Sequence, residues 1–392
     1  MKRWIVFGLI GLLWINPAYG KALDRKKGQP TKKISQSRPT SDLAKEDPFR
    51  AYAVMEGNTG RLLEGKEVHL KWPPASLTKL MVAYIVMEKL SKGELNLSDK
   101  ITVSRDASKM GGSQVFLKEG EVFTLEEMMK AALIASANDA TYAIGEFIAG
   151  GKEAFVKLMN EKAKALGMAD TSFYSMHGLP PSKGEQEDLT SCHDLAVLAR
   201  ELLKYPKLLE WTSLQTASFR NGTFVLNNFN KLLGKMPGID GLKTGYYKKA
   251  GYNIVATARK NGLRFIVVVM GSPKAKIRDH FVRDKINHYF TRYIMANVVK
   301  KGEVIDKEIT LTKAKSRTLK GVANGDFSYP VSSDKKAKLK REITLPEKLE
   351  GEIKAGQKLG EILIRMDNEV VGKVDIVSPV HVSKAGFFAR FF

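Results

Sequence analysis

The chain of 392 residues holds one cysteine, Cys192, which excludes an internal disulfide. A chain of this length buries enough core to fold without such staples. Acidic residues are also in short supply. Against 64 Lys and Arg stand 42 Asp and Glu, a formal net charge of +22. That balance favours anionic surfaces such as phospholipid, acidic wall polymers or nucleic acid, unless it is simply a soluble basic surface. Long apolar runs are missing as well. The stretch from Trp4 to Trp14 is too short for a comfortable membrane span. No zinc-finger spacing, RNA-binding aromatic signature or Walker loop occurs. His69, His177 and His193 are scattered without metal-ligand spacing, so no metal and no cofactor are expected.

What is present begins with an export signal. In residues 1–20, Lys2 and Arg3 form a charged start, an apolar core follows, and Ala18-Tyr19-Gly20 is a small-x-small cleavage site. An uncleaved N-terminal anchor is the rival reading, and either one exports the rest of the chain. Export removes nucleic acid from the expected partners. Residues 21–47 are polar and basic with no apolar period, which predicts a disordered linker.

Order is expected from Pro48. "AYAVME", "GNTG" and "RLLEGK" read as a hairpin. Apolar residues recur at helical spacing from Ser76 to Leu90. "TLEEMMKAALIASANDATYAIGEFIAG" reads as a second helical region, interrupted near Ser136, and a third ends at Gly167. "TSCHDLAVLARELL" reads as a surface helix capped by Ser191 and Asp194, with Cys192 and His193 on its first turn. The period then changes. "GIDGLKTGYY", "YNIVATARK" and "LRFIVVVMG" read as strands, the last two joined by an Asn261-Gly262 hairpin turn. A closing amphipathic helix is expected from Ala275 to Val299. The sum is an α+β fold with helices packed on an antiparallel sheet. It occupies residues 48–297, and a small β-rich domain follows over 302–380. The tail, 381–392, carries four phenylalanines with Lys384 and Arg390 and no acid. It suits a membrane interface, or else packs its aromatics on the β domain.

Chemistry first shows in "PPASLTKL". A serine is a poor nucleophile until a base takes its proton. Ser76 and Lys79 stand three apart at a helix start, so a candidate base lies one turn away on the same face. Lysine serves as a base only when burial or a nearby cation keeps it neutral. Alone, this pattern describes any capped helix with a surface lysine. It is not alone: Ser136-Ala137-Asn138 and then Lys243-Thr244-Gly245 follow. Ser-x-x-Lys, Ser-x-Asn and Lys-Thr-Gly in this order describe the penicillin-recognising serine acyltransferases.

From Pro48 to Asn297 the chain resembles one branch of them, the low-molecular-mass penicillin-binding proteins that are D-alanyl-D-alanine carboxypeptidases. Blocks such as "GGSQVFLKEGEVFTLEEMMKAALIASANDA" and "GIDGLKTGYYKKAGYNIVATARKNGLRFIVVVMG" carry the likeness beyond the three motifs. The resemblance implies a transpeptidase-like catalytic domain and a β-rich C-terminal domain. It makes Ser76 the nucleophile and Lys79 its general base. Ser136 relays a proton, and Asn138 bonds the substrate amide and holds Lys79. Lys243 and Thr244 take the substrate carboxylate. The backbone N–H groups of Ser76 and Tyr246, beside Gly245, form the oxyanion hole. Arg278 matches a family arginine near the carboxylate, or is a helix-surface arginine. The implied substrate is a peptidoglycan stem pentapeptide, with β-lactams as covalent inhibitors. The implied place is the periplasm or other extracytoplasmic side, on the outer face of the cytoplasmic membrane. That resemblance would set the tail on an anionic membrane surface.

One departure is Ser175-Met176, where many relatives carry Asn-Pro before His-Gly-Leu. Rivals on the same scaffold are a DD-endopeptidase and a β-lactamase. The latter needs a glutamate, for which Glu185 and Glu187 are the nearest candidates. A non-catalytic wall-binding protein is the rival of another class, and it would have no use for intact Ser76, Lys79, Ser136, Asn138 and Lys243.

Overall fold

The computed structural model describes residues 48–386. The signal over 1–20, the linker over 21–47 and the last six residues of the tail, 387–392, lie outside the described residues.

The hairpin β1 (Ala51–Glu56) and β2 (Leu62–Lys66) opens the fold. A 3₁₀ turn over Ala75–Thr78 leads into α1 (Lys79–Ser91). A small ladder of β3 (Lys100–Thr102) and β4 (Val122–Thr124) brackets α2 (Arg105–Ser108). Helices α3 (Leu125–Ile134), α4 (Asn138–Ala149), α5 (Lys152–Ala165), α6 (Cys192–Leu202) and α7 (Pro206–Thr212) follow. After the hairpin β5 (Thr216–Phe219) and β6 (Phe224–Asn227) come β7 (Ile239–Tyr247), β8 (Gly251–Lys260), β9 (Leu263–Ser272) and α8 (Ala275–Arg292). The C-terminal region comprises β10 (Tyr293–Val299), β11 (Val304–Thr312), β12 (Thr318–Ala323) and β13 (Phe327–Ser332). It ends with β14 (Leu339–Thr344), β15 (Lys348–Glu350), β16 (Lys358–Met366) and β17 (Glu369–Val377).

The main sheet has the order β2-β1-β9-β8-β7 and is antiparallel throughout. Asn261 and Gly262 join β8 to β9 with φ of 51° and 80°, the primed turn that matches the twist of a hairpin. Strand β9 is apolar without alternation because both of its faces are covered. Ile266, Val268 and Met270 share a core with the helices α1 and α3 to α6. Phe265, Val267 and Val269 pack against Val282, Ile286 and Tyr289 of α8. The α+β expectation therefore holds, with helices on both faces.

Two helix readings change. The closing helix stops at Arg292, and Tyr293–Val299 is strand β10, paired antiparallel with β13. Its aromatic and β-branched residues fit a ladder whose partner lies far along the chain, a pairing that local periodicity does not reveal. Helix α6 is not a surface helix. Cys192, Leu195, Leu198 and Leu202 are fully buried, and burial pushes the Cys192 thiol far up, which makes it inert. The Ser191 hydroxyl does cap Asp194 N at 3.2 Å. The Asp194 carboxylate turns instead to Asp170 N and Thr171 Oγ1.

The C-terminal sheet has the order β14-β16-β17-β12-β11-β15. Val382 and Ile353 exchange backbone hydrogen bonds at 2.8 and 2.9 Å, and Ala385 N donates to Lys313 O at 2.9 Å. The start of the tail is thus tied to this β region, while its four phenylalanines lie outside the described residues.

Candidate active site

The carbonyls of Pro73 and Pro74 both accept from Asn253 Nδ2 of β8, at 2.9 and 3.1 Å, which pins this loop to the sheet. Ala75 then takes φ of 51°, a left-handed value that a side chain rarely adopts. The turn over Ala75–Thr78 is 3₁₀ rather than α-helical. Side chains three apart eclipse in such a turn, so Ser76 lies directly beside Lys79. Lys79 Nζ stands 3.1 Å from Ser76 Oγ.

The same nitrogen donates to Asn138 Oδ1 at 2.6 Å and to His177 O at 2.7 Å. These two carbonyls use the two N–H groups of a neutral amine and leave its lone pair facing Ser76. Lys79 is fully buried. Burial first, and the Lys243 charge second, hold its pKa well below the usual lysine range. His177 is pushed down to about 3 by burial and then by Lys79, so it stays neutral, and its Nδ1 accepts from Leu179 N.

The opposite wall comes from the break between α3 and α4. Ser136 has φ of 58°, and this bend turns it into the cleft just before Asn138 starts α4. Asn138 Nδ2 donates to Gly111 O and its N–H to Ser113 O, both at 2.7 Å. The amide that holds Lys79 is therefore itself held.

The third wall is β7. Gly245 leaves room for the loop that carries Ser76, since a Cβ there would stand 2.6 Å from Pro74 O and 3.0 Å from Ser76 N. Lys243 is buried, and burial followed by the nearby Arg278 charge lowers its pKa to about 7. Thr244, Gly245 and Tyr246 line the cleft with Ser76 and Ser136. Arg278 lines it too and is buried, not on the helix surface. Its guanidinium donates to Asn253 O at 3.0 Å and to Asp279 Oδ1 at 2.7 and 2.9 Å. Among the described residues, neither Lys79 nor Lys243 forms an ion pair with a carboxylate. The cleft, about 390 Å³, is left with a positive end and a serine poised beside an amine.

Six of the nine sequence candidates line one cleft, Lys79 and Asn138 join it through the contact of Lys79 with Ser76, and Lys243 lies on β7, which walls it. Sequence reasoning passed over several neighbours. Ser113 and Tyr252 line the cleft, Tyr252 stacked on Tyr246 at 4.1 Å. Asp188 is buried and accepts from Thr78 Oγ1, Ser175 Oγ and the N–H groups of Tyr174 and Ser175. Ser175 makes that turn with its hydroxyl and also accepts from Gly178 N. Neither glutamate offered for β-lactamase chemistry bonds to Ser76 or Lys79. Glu185 is taken by Lys152 and Ser182 N, and Glu187 by Tyr247 and Lys249. Among the described residues no three His, Cys, Asp or Glu side chains converge as a metal site.

Comparison with known proteins adds to this geometry. The family described as D-alanyl-D-alanine carboxypeptidase matches residues 40–274. The family described as Penicillin-binding protein 5, C-terminal domain, matches residues 293–384. The D-alanyl-D-alanine carboxypeptidase DacF of Bacillus subtilis is 35% identical over 391 residues, covering 99% of this chain and 96% of the relative. A peptidoglycan synthesis regulatory factor (PBP3) from Streptococcus pneumoniae superposes with a TM-score of 0.73 at 25% identity, covering 86% of this chain and 99% of that one. Penicillin-Binding Protein D2 from Listeria monocytogenes, in an ampicillin-bound form, superposes with a TM-score of 0.56 at 31% identity. It covers 61% of this chain and 96% of its own.

Proposed function

Because the chain belongs to the D-alanyl-D-alanine carboxypeptidase family, we propose that it removes the terminal D-alanine of peptidoglycan stem pentapeptides through an acyl-enzyme on Ser76. The observation that carries this assignment is the contact of 3.1 Å between Ser76 Oγ and a buried Lys79 whose other neighbours leave only a lone pair for it.

The steps follow from the groups present. Lys243 and Thr244, with Arg278 beside them, take the substrate's terminal carboxylate. Lys79 accepts the Ser76 proton as Oγ attacks the penultimate carbonyl. The N–H groups of Ser76 and Tyr246 stabilise the oxyanion that forms. The C–N bond then breaks, and the leaving amine of D-alanine takes a proton from Lys79 by way of Ser136. Water enters, gives its proton to Lys79 and attacks the ester, and Ser76 recovers its hydrogen. The cost of burying Lys79 beside Lys243 supports this role. A base at neutral pH has to be uncharged, and burial with a cationic neighbour is how a lysine is kept so.

A fluorescent penicillin should label the protein at Ser76, and D-alanine should be released from a stem pentapeptide. No label, or equal label on Ser76→Ala, would falsify the nucleophile assignment. The expected setting is extracytoplasmic, with an export signal over 1–20 and the phenylalanine-rich end on an anionic membrane surface. Among the described residues no helix is long and apolar enough to cross a membrane. Removing 387–392 should shift the protein from membranes to the soluble fraction while leaving Val382 and Ala385 in place. An unchanged membrane fraction would rule out the tail as anchor.

A further inference from the structure

The connection from β2 to the turn at Ala75–Thr78 is laced to the start of α6. Trp72 N donates to Thr190 O at 2.8 Å, and Thr190 N donates back to Trp72 O at 3.1 Å. His193 N donates to Val68 O at 2.9 Å. This lacing sets two histidines that are distant in the chain against each other. The ring centres of His69 and His193 stand 4.7 Å apart, with their planes at 36°. Each ring is backed by a carboxylate. His69 Nδ1 lies 2.8 Å from Asp170 Oδ2, and His193 Nδ1 lies 3.2 Å from Asp194 Oδ1. A carboxylate only accepts, so in both rings Nδ1 carries the hydrogen and Nε2 keeps the lone pair. Among the described residues neither Nε2 has a hydrogen-bond partner. Both side chains reach solvent, at 64% exposure for His69 and 33% for His193.

We propose that His69 and His193 together bind one divalent transition metal of the kind that imidazole favours, such as zinc, nickel or copper. The spacing of the rings fits. A metal–nitrogen bond of about 2.0–2.1 Å puts each ring centre roughly 3.2 Å from the metal. Two such rings, at ligand angles of about 90–109°, have centres roughly 4.5–5.2 Å apart. The observed 4.7 Å falls inside that range. The backing fits as well. A carboxylate on the far nitrogen fixes the tautomer of a metal-binding histidine and raises its basicity. Two imidazoles that merely stack need no such acceptor on each ring. The carboxylates are themselves held. Asp170 accepts from the Ser191 side chain, and Asp194 Oδ2 accepts from Asp170 N at 2.8 Å and from Thr171 Oγ1 at 2.7 Å. Their two negative charges favour a cation at this place, and Lys71, near Asp170, offsets only one of them.

The protein supplies two ligands, and water fills the remaining positions. The role is that of a clasp. His69 belongs to the connection that leads through Trp72 to Ser76, and His193 to the first turn of α6. A shared metal ties the two together in the folded chain and not in the unfolded one, so it stabilises the fold. No step of the acyl transfer passes through it.

The test titrates zinc chloride into the full-length protein by calorimetry, with nickel chloride in parallel. One metal ion per chain should bind, and the melting temperature should rise by a few degrees once the site is saturated. The variants His69→Gln and His193→Gln should each bind zinc about tenfold or more weakly and lose the thermal shift. Without metal, both should melt where the parent does, which reports an intact fold. Calcium and magnesium take oxygen ligands, so about a tenfold excess of either should not displace zinc. Absence of binding at millimolar zinc overturns the proposal. So does equal zinc affinity in the parent and both variants, which places the metal elsewhere on the chain. Displacement by calcium or magnesium overturns it too, because the carboxylates and not the imidazoles would then be the ligands.

Discussion

Lysines in the C-terminal sheet and lysines in the catalytic region live under opposite conditions. Lys313, Lys320 and Lys358 each meet a carboxylate, on Glu350, Asp306 and Asp375, with both partners open to solvent. Lys79 and Lys243 are buried and meet none. The backbones beneath them differ in the same sense. Strand β16 alternates between covered and open residues, while β9 is covered along nearly its whole length. A charge on a half-open sheet keeps its water and costs little. A charge placed between covered layers loses its water, and without a counter-ion its pKa moves. Here that movement falls on Lys79, beside Ser76, and on Lys243 of β7. Among the described residues, buried cations without a carboxylate partner thus mark the catalytic region and not the C-terminal sheet.

The sharpest way to break this contrast is Lys79→Met, which keeps volume and burial but removes the amine. Penicillin acylation should fall by about a thousandfold or more, with melting temperature held or raised. A residual rate within tenfold of the parent would move the base elsewhere.

Cavities come next. Phe265→Ala in β9 and Ile362→Ala in β16 each remove a fully buried side chain. They should cost about 3–5 and about 2–5 kcal/mol respectively by denaturant unfolding. The first should lower acylation as the catalytic sheet loosens. The second should leave acylation rates untouched, and an equal loss in both would show that the two regions are not functionally separate.

pH probes the buried pair directly. In the proposed role, Lys243, whose pKa is lowered to about 7, attracts the substrate carboxylate only while it is charged. Its lowered pKa means that charge is present below about 7 and lost above it. Substrate kcat/KM should therefore decline on the alkaline side of neutrality, by up to about tenfold per unit. The kcat limb should lie higher, because a bound carboxylate stabilises the charged form. The acid limb belongs to Lys79, which is inactive once protonated. For a neutral ester substrate without the carboxylate, the alkaline decline should vanish.

The smallest effect is expected at the surface. Arg365 Nε meets Glu342 at 2.8 Å between β16 and β14, with both side chains open. Arg365→Ala should cost less than about 1 kcal/mol and change no rate.

Much of this was legible in the sequence for a local reason. Ser76 and Lys79 must share one turn, and Ser136 and Asn138 one helix break, so their spacing is written over a few residues. The hairpin at Asn261-Gly262 and the buried run of β9 were likewise legible from neighbours. Residues that act across the chain left no such trace. Asn253 clamps the Pro73 and Pro74 carbonyls from 180 and 179 residues away. His177 serves Lys79 through its backbone carbonyl, a group that every residue carries. Strand β10 passed for the end of a helix because its partner β13 lies beyond an intervening hairpin.

By itself, then, the sequence determined which atoms could react and in what order along the chain they occur. Only the tertiary structure decided their state. Whether Lys79 is a base depends on the water removed by α1, α3 and α4, on the placement of Lys243, and on which carbonyls occupy its two N–H groups. Those are properties of packed layers, because desolvation and charge act through space and not along the chain.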